Sequence, residues 1–387
     1  MRTGEFHYPA IDSVVFGLPA GEAVREKVDA AGCRRVFVLS SKSLAAMDDG
    51  PLQKLRAALG ARIVGEFTTI RAHTPREDVI AAASLARAAE ADVLLAIGGG
   101  SVIDATKAVL MCIWMGLERP EQMSRYLPQA PDRLEIIAPT SPIRMISVST
   151  TLSAAEFTSM AGVTDSQTRT KQVFTHRLFT PRIVVLDPFS ALRTPLPLLC
   201  ATAVRSIDHA IETYCSPHAN PATEPASLQG LHLLVSALRG MAMPTSDPQV
   251  LLNAQFGMWQ AISPIVAGIP TGASHGIGYV LGSGFGVGHG ETSCVMLPAV
   301  LEWNASQGGV KQDRLAEAME RPGEAASAVV RELVDSLGLP TRLRDVGIKR
   351  SDFDEIAARA LLYPQLANNQ VPVTSTAQVN QILEIAW

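Results

Sequence analysis

The sequence predicts two fold classes in one chain, an α/β domain over residues 1–190 and an all-helical domain over residues 191–387. In the first half, short apolar runs alternate with segments of helical periodicity, which is typical of a parallel sheet with helices on both faces. After Asp187 and Pro188 the apolar residues recur at helical spacing, and alternating β-branched runs are almost absent. The domain boundary is therefore expected near residue 190.

Individual elements follow from local patterns. Thr74, Pro75 and Glu77 are typical of a capping box with proline at the first helical position, which predicts a helix to about Ala89. The polar segment 118–133 predicts a surface loop. The expected strands are Arg35–Leu39, Ala61–Phe67, Asp92–Ile97, Met145–Ser149 and Ile183–Leu186. The clearest helices of the second half are Leu198–Tyr214, Ala226–Met241, Gln249–Ala267 and Asp313–Leu337.

Composition excludes several classes of protein. The chain is 47% hydrophobic and only 18% charged, which suits a large interior. A net charge of −4 without basic blocks argues against nucleic acid as a partner. The longest apolar run, Ala108–Leu117, is too short to span a membrane. The 5 cysteines are dispersed and odd in number, which predicts reduced thiols and a cytoplasmic location.

The segment that follows Asp92–Ile97 carries the strongest functional signal. A buried strand runs into Gly98, Gly99 and Gly100 and then into a helix that begins near Ser101. Glycines let backbone N–H groups approach a ligand, and a helix N-terminus favours a phosphate. This order predicts a Rossmann-like nucleotide diphosphate site, although a tight turn can use glycine for geometry alone. The common dinucleotide pattern G-x-G-x-x-G is absent.

Histidines mark a second candidate site in the helical half. His209 lies on a predicted helix, and His275 and His289 lie among glycines and small residues. Imidazoles in such surroundings indicate a site that a ligand approaches closely. Each of them taken alone could also be a structural histidine with its hydrogen bonds satisfied.

Together these segments resemble the iron-containing (group III) alcohol dehydrogenase family over nearly the whole chain. The resemblance implies a dehydroquinate synthase-like two-domain architecture, NAD or NADP as cofactor, hydride transfer between an alcohol and a carbonyl, and a homodimer. The matching positions are Gly98–Ser101, Asp104, Lys107, Ser149–Thr158, Lys171, Asp187, His209, His275, His289, Leu297 and Asn304.

The resemblance also implies which residues bind the cofactor. Ser41 stands where NAD-selective relatives have Asp, an acid that accepts the ribose hydroxyl and repels a 2′-phosphate. Ser41 with Lys42 removes that repulsion, so NADP(H) is permitted and NAD(H) remains open. The cofactor-binding residues implied are Ser41, Gly98, Gly99, Gly100, Ser101, Asp104, Thr150, Thr151, Ser153 and Lys171.

One departure from the family concerns the metal. Metal-binding members have an Asp one helical turn before the histidine that matches His209, and two later histidines that match His275 and His289. This chain has Arg205 at the Asp position, and a guanidinium stays protonated and offers no lone pair. Asp208 is expected to point away from the helix face that Arg205 and His209 share. Iron or zinc is therefore disfavoured, although neutral imidazoles could still hold zinc.

A second departure is Tyr279, where metal-dependent relatives have a histidine linked to proton relay. A phenol can act as a general acid if its pKa is lowered or a hydrogen-bonded chain feeds it, or it can simply pack. The chain is most similar to the maleylacetate reductase branch, which works on a carboxylated ketone without a metal. The segment from Thr150 to Asp165 lacks a T-G-S-E sequence and favours that branch. Arg205 and Tyr279 match neither pattern.

These observations predict a reductase of a small, anionic carbonyl compound. Arg205 would clamp a substrate carboxylate or polarise the carbonyl. The alternatives are a metal-dependent dehydrogenase that uses the histidines, a dehydroquinate-synthase-like lyase and a nucleotide-binding protein without catalysis. The candidate catalytic residues are Arg205, His209, His275, Tyr279 and His289.

Overall fold

The computed structural model describes residues 5–168, 170–241, 247–307 and 311–387. The chain divides into two compact units. The sheet unit is Pro9–Thr194, and the helical unit is Pro195–Trp387 with the N-terminal residues up to Tyr8. Among the described residues, no helix is both long and apolar enough to cross a membrane.

The sheet unit is built on a parallel sheet of 6 strands in the order β1-β8-β5-β4-β2-β3. A separate antiparallel hairpin pairs β6 with β7. The strands are β1 (Ser13–Phe16), β2 (Val36–Leu39), β3 (Ile63–Phe67), β4 (Val93–Gly98), β5 (Arg144–Ser149), β6 (Met160–Asp165), β7 (Thr170–Thr175) and β8 (Ile183–Leu186). All five predicted strands are confirmed within a few residues, whereas β1 and the hairpin were not predicted.

Helices cover both faces of this sheet. Along β4, Val93, Leu95 and Ile97 belong to one hydrophobic core, and Leu94 and Ala96 belong to another. Because side chains alternate along a strand, a strand buried on both faces reads as a continuous apolar run. The helices of this unit are α1 (Ala20–Ala30), α2 (Lys42–Ala45), α3 (Pro51–Leu59), α4 (Arg76–Ala88), α5 (Gly100–Trp114) and α6 (Pro188–Ala191).

The predicted capping box at the start of α4 is wrong. Pro75 is the N-cap of α4, and no side chain caps the helix. The Thr74 hydroxyl instead donates a hydrogen bond of 2.9 Å to the carbonyl oxygen of Ser101. A tertiary contact with α5 therefore replaces the local cap, and Thr74 adopts a φ of 56°. The expected loop 118–133 also includes a short 3₁₀ helix, Pro120–Tyr126.

The helical unit has no strand among its described residues. The predicted single helix Asp313–Leu337 is two helices, because the chain turns between them at Pro322 and Gly323, whose φ of 83° favours glycine. The other predicted helices are present within a few residues. The helices are α7 (Leu196–Cys215), α8 (Glu224–Met241), α9 (Pro248–Val266), α10 (Ala273–Phe285), α11 (His289–Ser306), α12 (Gln312–Ala318), α13 (Ala326–Ser336), α14 (Phe353–Ala360), α15 (Pro364–Ala367) and α16 (Thr376–Ala386).

Candidate active site

Helix α7 carries four polar residues on one buried face. Arg205, Asp208, His209 and Glu212 are spaced i, i+3, i+4 and i+7, and all four are buried. Charged groups are rarely buried without partners, so this spacing on a mostly apolar helix indicates a functional polar site.

Glu212 fixes the start of α10. Its carboxylate accepts hydrogen bonds from the backbone N–H groups of Gly272 and Ser274, each at 2.7 Å. These N–H groups have no partner within their own helix, and a negative charge is favourable there. A Cβ on Gly272 would lie 3.0 Å from Glu212 Oε1 and 2.7 Å from Asn369 Oδ1, so only glycine permits this close approach.

The same carboxylate orients His275. Glu212 Oε2 lies 2.7 Å from His275 Nδ1. Because an ionised carboxylate can only accept, Nδ1 carries the hydrogen of this bond. The other ring nitrogen, Nε2, is buried and has no hydrogen-bond partner among the described residues. Nε2 is therefore the atom of His275 that remains for a ligand.

Asp208 is the second carboxylate beside His275, with Oδ2 3.5 Å from Nδ1. Oδ2 also accepts hydrogen bonds from the hydroxyls of Ser274 at 2.8 Å and Ser293 at 2.6 Å. Arg205 Nη1 lies 3.8 Å from the same oxygen and donates to Ser293 Oγ at 3.1 Å. The expectation that Asp208 points away from the site is wrong, because residues three apart on α7 both reach α10.

Opposing charges set the ionisation of this group. Burial would raise the pKa of Asp208, but the charges of His275 and Arg205 and the hydrogen bond from Ser293 hold that pKa below its usual value. Burial and Arg205 act to lower the pKa of His275. Asp208 and Glu212 outweigh them, so the pKa of His275 is raised.

His209 lies beside His275 with the opposite tendency. The two ring centroids are 5.1 Å apart. Burial, followed by the positive charges of His275 and Arg205, holds the pKa of His209 well below its ordinary value. His209 Nδ1 is buried without a hydrogen-bond partner among the residues that the structure describes. One imidazole thus favours the charged form and its neighbour the neutral form.

Tyr279 closes another side of the group. Its ring is 6.2 Å from that of His275 and 5.5 Å from that of Tyr363, and Arg205 Cζ lies 5.8 Å from its centroid. Burial raises the pKa of Tyr279, and the positive charge of Arg205 does not reverse this. The lowered pKa that would make the phenol an acid at neutral pH is therefore absent.

His289 is the first residue of α11 and is half-buried. A Cβ on Gly282 of α10 would lie 3.6 Å from His289 Cε1, so the imidazole packs against the helix that carries His275 and Tyr279. The structure thus places His289 beside α10, two turns beyond His275 along that helix.

The cluster of Asp208, Glu212 and His275 does not fit a divalent metal. Asp208, Glu212 and His275 bring potential ligand atoms within 4.8 Å of one another. Both oxygens of Glu212 are already occupied by N–H donors, and the histidine presents the protonated nitrogen to the carboxylates. The guanidinium of Arg205 lies at the same oxygen of Asp208. A cation held there opposes a second, divalent cation.

In the sheet unit, the predicted phosphate turn lies between β4 and α5. Gly99 is the N-cap of α5, and no side chain caps the helix, so its first N–H groups remain for an anion. A Cβ on Gly99 would lie 2.9 Å from Thr151 Cγ2, and one on Gly100 would lie 3.1 Å from Ser153 Oγ. The glycines and the segment after β5 are therefore packed together.

Other predicted cofactor residues lie at the same end of the sheet, at the carboxyl ends of its strands. β2 and β5 both pair with β4, so Ser41, Gly98 and Thr150 lie at neighbouring carboxyl ends of parallel strands, where ligands of such sheets bind. Ser41 caps the short helix α2 by accepting from Leu44 N–H. The Ser101 hydroxyl accepts a hydrogen bond from His73 N–H at 3.2 Å, so part of its capacity serves the fold.

Asp104 and Lys171 meet at the β6–β7 hairpin. Asp104 Oδ2 accepts the N–H of Gly162 at 3.1 Å, and a Cβ on Gly162 would lie 3.1 Å from Lys171 Nζ. Burial raises the pKa of Asp104, although Lys107 and Lys171 act against it. Asp104 therefore fixes the hairpin that carries Lys171.

Sequence reasoning did not identify Glu212, Ser274 and Ser293 as part of the site, and it set Asp208 aside. The spacing of polar residues on α7 could have revealed Asp208 and Glu212. No comparable signal distinguishes Ser274 and Ser293 from the many other serines of the chain.

Comparisons with known proteins agree with this architecture. A family model described as iron-containing alcohol dehydrogenase matches residues 12–188, and one for the C-terminal part of the Fe-containing alcohol dehydrogenase family matches residues 199–387. Dehydrogenase FUM7 of Gibberella moniliformis is 31% identical, over 90% of this chain and 90% of its own. Maleylacetate reductase 1 of Rhodococcus opacus is 28% identical, over 100% of this chain and 97% of its own.

Solved structures show the same fold. Sulfoacetaldehyde reductase of Bifidobacterium kashiwanohense, solved in complex with NAD⁺, superimposes with a TM-score of 0.84 at 19% identity. The match covers 99% of this chain and 98% of that one. The parallel sheet and the helical part thus form an architecture already known from solved structures.

Proposed function

The chain belongs to the iron-containing alcohol dehydrogenase family and is an oxidoreductase, and we propose how it works. It reduces the carbonyl group of a small substrate that carries a carboxylate, with NADH or NADPH and without a divalent metal. One observation carries this proposal: a buried guanidinium, Arg205, lies within the group of His275, Asp208 and Tyr279.

Arg205 supports the choice of an anionic substrate. Among the described residues, the polar partners of its guanidinium are Ser293 and Asp208, and both lie at Nη1. The hydrogens of Nε and Nη2 remain, and guanidinium groups bind carboxylates through two parallel hydrogen bonds. The similarity to maleylacetate reductase 1 supports a carboxylated carbonyl compound as substrate.

His275 supports the proton step. Bound NAD(P)H would supply a hydride to the carbonyl carbon, which would leave a negative charge on the oxygen. His275 donates the proton from Nε2 to that oxygen, and Glu212 and Asp208 stabilise the protonated ring before transfer. His209, held neutral, orients the carbonyl by a hydrogen bond. Tyr279 forms a wall of the site instead of supplying the proton.

The free N–H groups at the start of α5 support diphosphate binding, and the NAD⁺ complex of the structurally similar sulfoacetaldehyde reductase favours the same cofactor class. Ser41 and Lys42 introduce no negative charge against a 2′-phosphate, so NADPH is accepted. Steady-state comparison of NADH and NADPH tests this part. A preference for NADH above about a hundredfold, roughly 2.7 kcal/mol, would contradict the role given to Ser41.

Metal analysis of the purified protein tests the proposal most directly. We expect less than stoichiometric iron and zinc, and unchanged turnover of oxo acids after treatment with EDTA. Loss of a tightly bound metal together with activity would favour the alternative, a metal-dependent dehydrogenase that uses His209, His275 and His289. The free ring nitrogens of His209 and His275 are the observation on its side.

Arg205→Met tests the substrate class. We expect kcat/KM for oxo acids to fall about a hundred- to a thousandfold, the usual effect of removing one charge-stabilising donor. The corresponding methyl esters should lose much less, because they lack the carboxylate. A variant that retains full activity on oxo acids would contradict both roles given to Arg205.

A further inference from the structure

We propose that Asp208 is the shared counter-ion of Arg205 and His275, and that it sets how strongly the site holds an anion. The inference rests on the proposed carboxylate-binding role of Arg205. It assigns a positioning function to a residue that touches neither the substrate carboxylate nor the carbonyl in the proposed reaction.

The first support is the burial and crowding of one carboxylate oxygen. Asp208 is fully buried, and its Oδ2 has four polar neighbours. Two are hydroxyl donors, Ser274 at 2.8 Å and Ser293 at 2.6 Å, and two are cationic groups, Arg205 Nη1 at 3.8 Å and His275 Nδ1 at 3.5 Å. Residues from α7, α10 and α11 thus meet at a single atom.

The second support is the bridge through Ser293. Arg205 Nη1 donates to the Ser293 oxygen, and the Ser293 hydroxyl donates to Asp208. This chain of two hydrogen bonds fixes one amino group of the guanidinium. Ser274 donates to the same oxygen of Asp208, and Arg205 makes no hydrogen bond to it among the described residues. Both serines therefore donate to Asp208, but only Ser293 also anchors Arg205.

The third support is electrostatic. A carboxylate buried a few ångströms from the guanidinium repels any anion that binds on the other side, because the interior screens charges less than water does. Asp208 consequently weakens the binding of an anion while it keeps Arg205 oriented. It also stabilises the protonated form of His275. Removing the charge of Asp208 should therefore strengthen anion binding, whereas removing the Ser293 bridge to Arg205 should weaken it.

Calorimetric titration of succinate into the full-length protein tests this, with neutral succinamide as the ligand control. We expect Asp208→Asn to bind succinate at least threefold more tightly while its kcat on oxo acids falls at least tenfold. Ser293→Ala should bind succinate at least threefold more weakly. The matched control Ser274→Ala should change the affinity less than twofold. A loosened fold would weaken binding in every variant.

Asp208→Asn that binds succinate as the unaltered protein does, or more weakly, would overturn the proposal. If that variant does not fold, equal affinities of Ser293→Ala and Ser274→Ala would overturn it. Arg205→Met distinguishes a failure of the proposed carboxylate role from a failure of this inference alone. Succinate binding that survives in Arg205→Met overturns the carboxylate role and this inference together. Binding lost there but unchanged in the Asp208 and Ser293 variants overturns this inference alone.

Discussion

The two candidate sites of this protein are built from different materials. The phosphate turn between β4 and α5 consists of backbone: Gly98, Gly99 and Gly100 bring N–H groups to the end of a helix that no side chain caps. The polar group on α7, α10 and α11 consists of side chains. There the carboxylates of Glu212 and Asp208 hold their neighbours in position, namely a helix N-terminus, a histidine and an arginine.

Because of this difference, the two sites are sensitive to different substitutions. In the turn, an added methyl group is a steric error, because neighbouring atoms already lie against the glycines. In the polar group, the loss of one side chain leaves a buried charge or donor without its partner, which costs more than the lost contact alone.

The largest effect is expected from His275→Gln. This variant keeps a hydrogen-bonding side chain but removes the proton donor, so kcat should fall by about 10²–10⁴-fold. The affinity for NAD(P)H, measured by fluorescence titration, should not change. Tyr279→Phe is the matched control on the same helix face and should lose less than tenfold. A larger loss in Tyr279→Phe than in His275→Gln would reassign the proton donor.

The helix that follows the turn, α5, carries a buried lysine. Lys107 is fully buried, and its amine donates to the carbonyl oxygens of Ala155 and Met160 and to the hydroxyl of Thr158. Burial lowers the pKa of Lys107 to about 8.

Lys107→Met should therefore lower the free energy of unfolding by about 3–5 kcal/mol, because the carbonyl oxygens of Ala155 and Met160 lose a charged donor. Urea unfolding followed by circular dichroism measures this. Lys54→Met, at an exposed lysine of the same unit, should stay within about 0.5 kcal/mol. Equal effects in both variants would remove the structural role of Lys107.

A steric change in the turn comes next. Gly99→Ala places a methyl group 2.9 Å from Thr151 Cγ2. The crowding should cost about 1–3 kcal/mol. It should appear either as lost stability or as a cofactor affinity that is lower by roughly tenfold or more. Thr151→Ser removes that methyl group, so the double variant should recover much of the loss. No recovery would show that the crowded contact is not the cause.

The smallest effect is the pH dependence of stability at His209. The folded-state pKa of His209 is lowered, so the unfolded chain binds more protons as the pH falls through about 6.5. The stability associated with neutral His209 is therefore present above that pH and lost below it, by up to about 1.4 kcal/mol per pH unit.

Denaturant unfolding of His209→Asn should accordingly show a smaller loss of stability between pH 7.5 and 5.5 than the unaltered protein. His218→Asn, at an exposed histidine, is the substitution control measured over the same pH range. A steeper loss in His209→Asn would mean that His209 is charged in the folded state. His275 acts in the opposite sense, since its raised pKa adds stability that is lost as the pH rises through that value.

Particular elements show where local pattern was sufficient. The buried strand β4 and the glycines after it were readable, because a strand covered on both faces is continuously apolar and because the glycines are adjacent in the chain. The helix 313–337 was misread, since a periodic apolar pattern continues across Pro322 and Gly323 although the backbone turns there. Thr74 was misread because its hydroxyl found a distant carbonyl instead of the nearby helix end.

By itself the sequence determined the fold class, the family and the position of the glycine turn between β4 and α5, because these depend on periodicity and on residues adjacent in the chain. It also placed a fixed cation, Arg205, one turn from His209. Only the tertiary structure decided that Asp208 and Glu212 belong to the candidate site, and that the pKa of His275 is raised while that of His209 is lowered. Those properties arise from residues some 60 to 90 positions apart that meet in a buried, weakly screened space, where contact decides which charge is stable.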